Sequence, residues 1–119
     1  MPTQSDRRGR SILIVEDDSG TRNALVSLLG QLGYHTVPVA SVAEGVERLD
    51  GQDFAILDLN LSGQRVDPVA EILAERQVPF IFASGYGEDG LSPEWRGRPV
   101  LPKPFRLDQL KDALEAATR

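Results

Sequence analysis

The sequence contains no cysteine and a single histidine, His35, among its 119 residues. The absence of cysteine excludes disulfide bonds and thiolate metal sites, and it favours a reducing compartment. Apolar runs are also short, because none reaches the roughly 20 residues that a membrane-spanning helix needs, and the N-terminus lacks the apolar core of a signal peptide. We therefore expect a soluble, cytoplasmic protein.

Positive charge is scarce as well. The chain has 13 lysines and arginines against 18 acidic residues, for a net charge of -5, which disfavours non-specific binding to nucleic acid or anionic lipid. A polar stretch with Arg7, Arg8 and Arg10 opens the chain. Without interleaved aromatic residues it predicts a disordered leader over residues 1–10 rather than a nucleic-acid-binding arm. Residues 11–119 are enough for one domain with a core of its own.

Four apolar runs are each followed by a polar or charged residue. The run Phe54–Leu57 has no polar alternation, which predicts a strand buried on both faces, as in a parallel sheet covered by helices. Open α/β sheets bind ligands at the carboxyl ends of their strands, so the side chains after these runs are expected to form one site. The runs and their followers are Ile12–Val15 with Glu16 and Asp17, Phe54–Leu57 with Asp58, Phe80–Ala83 with Ser84, and Pro99–Leu101 with Lys103.

Segments with helical spacing of apolar residues alternate with these runs, and a further strand is predicted over Tyr34–Val39. Five strands alternating with about five helices predict one doubly wound α/β domain. Residues 85–97 contain too many glycines and prolines to predict a helix. In the second helix, Ala43, Val46 and Leu49 are predicted to face inward. The apolar residues at helical spacing in the other helices are Ala24, Leu25, Leu28, Leu29 and Leu32 in the first, Val69, Ile72 and Leu73 in the third, and Leu107, Leu110, Ala113, Leu114 and Ala117 on one side of the last.

Three carboxylates, Glu16, Asp17 and Asp58, converge if the first and third strands are neighbours. Like charges about 4 Å apart repel by about 4 kcal/mol near a protein surface, so such a cluster must hold extra protons or bind a cation. Oxygen ligands that remain open to water suit Mg²⁺. Capping of the following helix is the alternative role for these acids, and it applies above all to Asp18.

A carboxylate can also act as a nucleophile toward phosphorus, which makes Asp58 a candidate phosphoacceptor. Lys103 would place a positive charge against the phosphoryl oxygens, and Ser84 would donate a hydrogen bond to one of them. Each has a simpler alternative: Lys103 as a solvated lysine after a strand, and Ser84 as a residue that caps local backbone.

Taken in order, these motifs resemble the receiver domain of two-component response regulators over nearly the whole chain. The resemblance implies a flavodoxin-like (βα)5 fold with strand order 2-1-3-4-5. The motifs that carry it are Ile14-Val15-Glu16-Asp17-Asp18, Leu57-Asp58-Leu59-Asn60, Phe82-Ala83-Ser84-Gly85 and Leu101-Pro102-Lys103-Pro104-Phe105.

The resemblance also implies roles for single residues. Asp58 accepts a phosphoryl group from a histidine kinase or a histidine phosphotransfer protein, and Ser84 and Lys103 hold that group. Asp17 and Asp58 bind Mg²⁺ directly, Glu16 binds it through water, and the backbone carbonyl of Asn60 completes the ligands. The Lys103-Pro104 bond is cis. Such a domain assists only its own phosphorylation and dephosphorylation, changes its binding to a downstream protein, and is a monomer or a weak phosphorylation-dependent dimer.

Two features depart from the usual receiver pattern. Val100 stands where receivers carry an aromatic residue that moves inward on phosphorylation, and the stretch between Ser84 and Lys103 is short, which predicts a shortened or disordered fourth helix. The run Phe82-Ala83-Ser84-Gly85-Tyr86 is similar to a Phe-Ala-Thr-Gly-aromatic signature of some single-domain regulators. Our hypothesis is that Tyr86 replaces the missing switch; the alternative is a partly buried loop aromatic.

Two other functions remain open from the sequence. A phosphatase of the haloacid dehalogenase kind uses a similar residue set, but it needs a second aspartate two residues after the nucleophile, where this chain has Asn60. A receiver-like interaction module that is never phosphorylated is the other alternative, and the complete set of acids, hydroxyl and lysine argues against it.

Overall fold

A five-stranded parallel sheet with helices on both faces forms the domain. The computed structural model describes residues 10–59, 61, 63–85 and 91–118. The predicted leader therefore lies outside the described residues, apart from Arg10, which is exposed. The elements are β1 (Ser11–Val15), α1 (Ser19–Gln31), β2 (His35–Val39), α2 (Val42–Glu47), β3 (Phe54–Asp58), α3 (Asp67–Glu75), β4 (Phe80–Ser84), β5 (Val100–Pro102) and α4 (Leu107–Thr118).

The strand order is β2-β1-β3-β4-β5, which confirms the doubly wound fold and the order that the resemblance implied. The register aligns Val15 with Leu57 and Asp58 with Ala83. The residues that follow β1 and end β3 and β4 are therefore neighbours at one edge of the sheet. That edge is where the sequence predicted the site.

Alternate residues of the central strands face two separate apolar layers. In β1, Leu13 and Val15 face the layer covered by α2 and α3, whereas Ile12 and Ile14 face the layer covered by α1 and α4. All four side chains are 0% exposed. The continuous apolar runs have this double burial as their cause.

Helix α1 starts at the predicted cap and packs by only part of the predicted face. The carboxylate of Asp18 accepts a hydrogen bond from the backbone N–H of Thr21 at 2.8 Å, as an N-cap residue does. Leu25 and Leu29 are buried as predicted, but Ala24 is exposed. An alanine at the margin of the apolar stripe has little surface to bury, so its exposure is inexpensive.

The inward face of α2 was predicted wrongly. Ala43 and Val46 are exposed, and Val46 has 41% of its surface in contact with solvent, while Gly45 is buried. A Cβ atom at Gly45 would lie 3.1 Å from Cγ2 of Val15. The helix thus approaches β1 through its glycine, a close contact that a count of apolar side chains cannot detect. Leu49, just after the helix, is buried as predicted.

Between β4 and β5, the described residues contain a single turn of 3-10 helix, Pro93–Trp95, and no α-helix. The count of about five α-helices is therefore corrected to four for the part of the chain that the structure describes. Trp95 is buried against Phe80, with ring centroids 5.7 Å apart and the rings nearly perpendicular. This segment covers the same layer as α2 and α3.

The remaining helices agree with expectation in their main contacts. Val69 and Leu73 of α3 and Leu110 and Leu114 of α4 are buried, and Pro68 lies in the first turn of α3, where its missing N–H costs nothing. Among the described helices, none has the length and apolar content to cross a membrane.

Candidate functional site

Two acidic side chains lie below the surface at the carboxyl edge of the sheet. Glu16, directly after β1, is 1% exposed, and Asp58, the last residue of β3, is 3% exposed. Asp17 is partly exposed. Carboxylate oxygens of these three residues lie within 4.8 Å of one another, so the structure brings together the acids that the sequence grouped.

Lys103 reaches the same cluster from the loop after β5. Its Nζ atom donates a hydrogen bond to Oδ1 of Asp58 at 3.0 Å and forms an ion pair with Oε1 of Glu16 at 2.8 Å. The backbone N–H of Lys103 donates to the carbonyl of Ser84 at 3.0 Å, and the Lys103-Pro104 peptide bond is cis, as the resemblance implied. Lys103 is therefore not a freely solvated side chain.

The surroundings of Glu16 change its titration. Burial of its carboxyl group, followed by the hydrogen bond with Asp58, raises the pKa of Glu16 to about 7, although Lys103 acts in the opposite direction. Burial lowers the pKa of Lys103, but its hydrogen bonds with Glu16 and Asp58 outweigh this and raise it. The lysine remains charged at neutral pH, and Glu16 readily holds a proton.

This donor set fits a divalent cation. Three carboxylates face one ammonium group, and every candidate donor in the cluster is oxygen, the ligand type that Mg²⁺ requires. A single ammonium group leaves the negative charge of such a cluster incompletely balanced. Glu16, Asp17 and Asp58 are the described residues that would hold Mg²⁺.

Ser84 and Gly85 lie at the end of β4, beside Asp58. Ser84 is 4% exposed, and it follows Ala83, the register partner of Asp58. A Cβ atom at Gly85 would meet no heavy atom within 4 Å, so there is open space next to the serine. The structure thus places Ser84 at the same edge of the sheet as the acids, and its role toward a phosphoryl group stays a prediction.

Two of the predicted site residues, Asn60 and Tyr86, lie outside the described residues. Val100 is described: it is partly buried and packs against the core layer that contains Trp95. Its small side chain packs against the layer that contains the aromatic residues Phe80, Phe82 and Trp95.

Arg22 is a residue near the site that the sequence interpretation missed. Its Nη1 atom donates hydrogen bonds to the backbone carbonyls of Glu16 at 2.9 Å and Asp17 at 3.4 Å. The available signal was its position in the first turn of α1, four residues after the Asp18 cap, from which a long side chain can reach back to the preceding loop.

The chain is similar to known proteins in sequence and in structure. The response regulator receiver protein CpdR of Brucella abortus is 30% identical over 115 residues, which cover 89% of this chain and 94% of CpdR. The chain belongs to the receiver domain family of response regulators. The solution structure of SdrG from Sphingomonas melonis Fr1 is similar to this receiver domain, with 42% identity and a TM-score of 0.85 over 92% of this chain and 97% of SdrG.

A second structure, described as the BeF3-activated conformation of SdrG from Pseudomonas melonis Fr1, is 44% identical with a TM-score of 0.77, over 89% of this receiver domain and 93% of that chain. The positive alginate biosynthesis regulatory protein of Pseudomonas aeruginosa is 32% identical over 92% of this chain, which spans about half that protein, 47% of its length. No model of a protein family matches the chain.

Membership in the family assigns the receiver domain to two-component signalling, in which such domains accept phosphoryl groups. The chain is therefore a signalling module. These relatives give no support to the phosphatase alternative.

Proposed function

We propose that Asp58 is the phosphoacceptor of this receiver domain and that a histidine kinase or a histidine phosphotransfer protein is the donor. The observation that carries the proposal is the contact of the buried Asp58 carboxylate with Lys103 at 3.0 Å, beside two further acids. No other aspartate among the described residues combines burial, a lysine partner and acidic neighbours.

The transfer forms one bond and breaks another. An oxygen of Asp58 forms a bond with phosphorus while the phosphorus–nitrogen bond to the donor histidine breaks, and the histidine nitrogen keeps the electron pair. Approach of the anionic phosphoryl group to an acidic cluster is unfavourable without positive charge. The Lys103 ammonium, held in place by its backbone bond to Ser84, supplies part of that charge.

Mg²⁺ would supply the rest of the positive charge when it is bound. Asp17 and Asp58 would bind it directly, Glu16 would act through water, and the carbonyl of Asn60, outside the described residues, would complete the set. Ser84 donates a hydrogen bond to a phosphoryl oxygen, for which the space beside Gly85 leaves room.

Phosphorylation then alters the binding of a downstream protein. Val100 cannot act as an aromatic switch, so another residue must respond to the phosphoryl group. The hypothesis that Tyr86 does so stays a prediction. Amide exchange over Gly85–Gly97 with and without BeF₃⁻ tests it, and equal exchange in both states contradicts it.

Intact mass spectrometry tests the phosphoacceptor. After incubation with acetyl phosphate and Mg²⁺, we expect one phosphoryl adduct on the wild type, none on Asp58→Asn, and none on the wild type in excess EDTA. The matched control is Asp112→Asn, which removes an exposed carboxylate of α4 and should give the wild-type adduct. An adduct on Asp58→Asn would contradict the proposal.

A further inference from the structure

Arg22 contacts the acidic loop, residues 16–18, through backbone carbonyl groups of that loop. Its guanidinium group donates to the carbonyls of Glu16 and Asp17, and the side chain is partly buried. Guanidinium groups stay protonated throughout the range in which proteins fold, so these hydrogen bonds persist across that range.

The same loop is fixed at two other points. The backbone N–H of Glu16 donates to the carbonyl of Val39 at 3.0 Å, and the N–H of Asp18 donates to Oε2 of Glu16 at 3.2 Å. Neither bond involves the carbonyl of Asp17. Arg22 restrains that carbonyl by a hydrogen bond of 3.4 Å.

We propose that Arg22 is a positioning residue for the divalent ion: it fixes the peptide groups of Glu16 and Asp17 so that the Asp17 carboxylate keeps the direction that Mg²⁺ needs. This inference rests on the proposed Mg²⁺ site. Groups that orient metal ligands typically affect metal affinity by about 10- to 100-fold when they are removed.

A loosened loop and the loss of the Arg22 charge should affect the affinities for Mg²⁺ and Ca²⁺ differently. Mg²⁺ requires near-ideal octahedral geometry at about 2.0–2.1 Å, whereas Ca²⁺ accepts variable geometry at longer distances. A loosened loop should therefore weaken Mg²⁺ binding more than Ca²⁺ binding. Loss of the positive charge of Arg22, in contrast, strengthens the binding of both divalent ions by a similar factor. The ratio of the two affinities isolates the effect of positioning.

The experiment titrates MgCl₂ and CaCl₂ into the folded protein and follows amide chemical shifts at low temperature. For Arg22→Met, which keeps an apolar stem of similar length but loses the donor, we expect Mg²⁺ to bind roughly tenfold more weakly and Ca²⁺ affinity to change much less. Arg22→Lys keeps the charge and one possible donor, so its Mg²⁺ affinity should fall between those of Arg22→Met and the wild type. Arg48→Met, the loss of an exposed arginine after α2, should leave both affinities unchanged.

The outcomes separate the two proposals. Equal changes in Mg²⁺ and Ca²⁺ affinity, or none, in Arg22→Met would overturn the positioning role and leave the Mg²⁺ site intact. A wild type that binds neither ion would overturn the Mg²⁺ site itself. If Arg22→Met does not fold, Arg22→Lys decides the matter: an unchanged ratio of Mg²⁺ to Ca²⁺ affinity contradicts the inference.

Discussion

The buried carboxyl group of Glu16 makes the free energy of unfolding depend on pH. Its carboxyl group has a pKa of about 7 in the fold, above the ordinary 4.5, chiefly because it is buried. Between these two pH values the folded protein holds a proton that the unfolded chain has released, so stability falls as pH rises through this range. In the proposed function, bound Mg²⁺ would offset the cost of ionising this buried acid.

This pH dependence is measurable. Without divalent ions, the free energy of unfolding should fall by about 2 kcal/mol between pH 5 and pH 7.5 on account of Glu16. Glu16→Gln should lose this part of the dependence, as measured by urea unfolding in EDTA at several pH values. Glu71→Gln, at an exposed position of α3, is the control and should follow the wild type. If Glu16→Gln keeps the wild-type slope, Glu16 is not the titrating group.

At the scale of elements, α2 is positioned by the glycine that the sequence interpretation overlooked. The Cβ of an alanine at Gly45 would lie 3.1 Å from Val15 and 3.4 Å from Val69, two fully buried side chains. Gly30 in α1 has no heavy atom within 4 Å of the same position. The two glycines form a matched pair that separates helix propensity from packing.

Gly30→Ala should raise the free energy of unfolding by about 0.5 kcal/mol, because alanine is the better helix former. Gly45→Ala makes the same chemical change, but it should lower that free energy by about 1 kcal/mol, since overpacking outweighs the gain in propensity. Urea unfolding of both variants measures the difference. Stabilisation by both variants would show that Val15 and Val69 can shift to accommodate the added methyl group.

Asp67 connects the start of α3 to the segment between β4 and β5. Its carboxylate accepts hydrogen bonds from Ser92 Oγ at 2.9 Å and Trp95 Nε1 at 3.2 Å and pairs with Arg65 at 3.0 Å. Burial alone would raise the pKa of Asp67, but these three partners lower it below the ordinary value. The carboxylate thus stabilises the folded state at neutral pH, and this contribution is lost as pH falls through the lowered pKa.

Asp67→Asn should lower the free energy of unfolding by about 1–2 kcal/mol, because it weakens hydrogen bonds to a charged acceptor. It should also shift the emission of Trp95, the one tryptophan of the chain, to longer wavelength. Asp108→Asn is the control: Asp108 also lies in the first turn of a helix and pairs with an arginine two residues earlier, but its side chain is exposed. Unchanged emission in Asp67→Asn would show that the environment of Trp95 does not depend on its hydrogen bond to Asp67.

At the scale of the whole molecule, the sequence was most informative where burial is complete. The runs Ile12–Val15 and Phe54–Leu57 predicted the central strands because a parallel sheet buries both faces. The runs alone did not show which strands are neighbours; that order came from the resemblance, and with β1 beside β3 the acids that follow them meet at one edge.

The misses share a different cause. Gly45 contributes through the absence of a side chain, Trp95 is buried in a segment rich in glycine and proline, and Arg22 acts on backbone carbonyls. Each depends on a tertiary contact that has no periodic signal in the sequence. Hydrophobic pattern identifies layers, but it does not report close approaches or single hydrogen bonds.

Because the acidic cluster is built from the central strands, Mg²⁺ binding and folding should be coupled. An ion that binds only the folded state at ten times its dissociation constant adds about 1.4 kcal/mol to the free energy of unfolding. Binding also requires Glu16 to release its proton, so each pH unit below its pKa of about 7 should weaken Mg²⁺ binding by up to about tenfold.

A fixed Mg²⁺ concentration should thus stabilise the protein clearly at pH 8 and much less at pH 6. Urea unfolding with Mg²⁺ or EDTA at the two pH values measures this, with Asp112→Asn as the control that behaves as the wild type. Equal stabilisation at both pH values would show that the ion does not compete with the proton on Glu16, and Glu16 would then have no part in binding it.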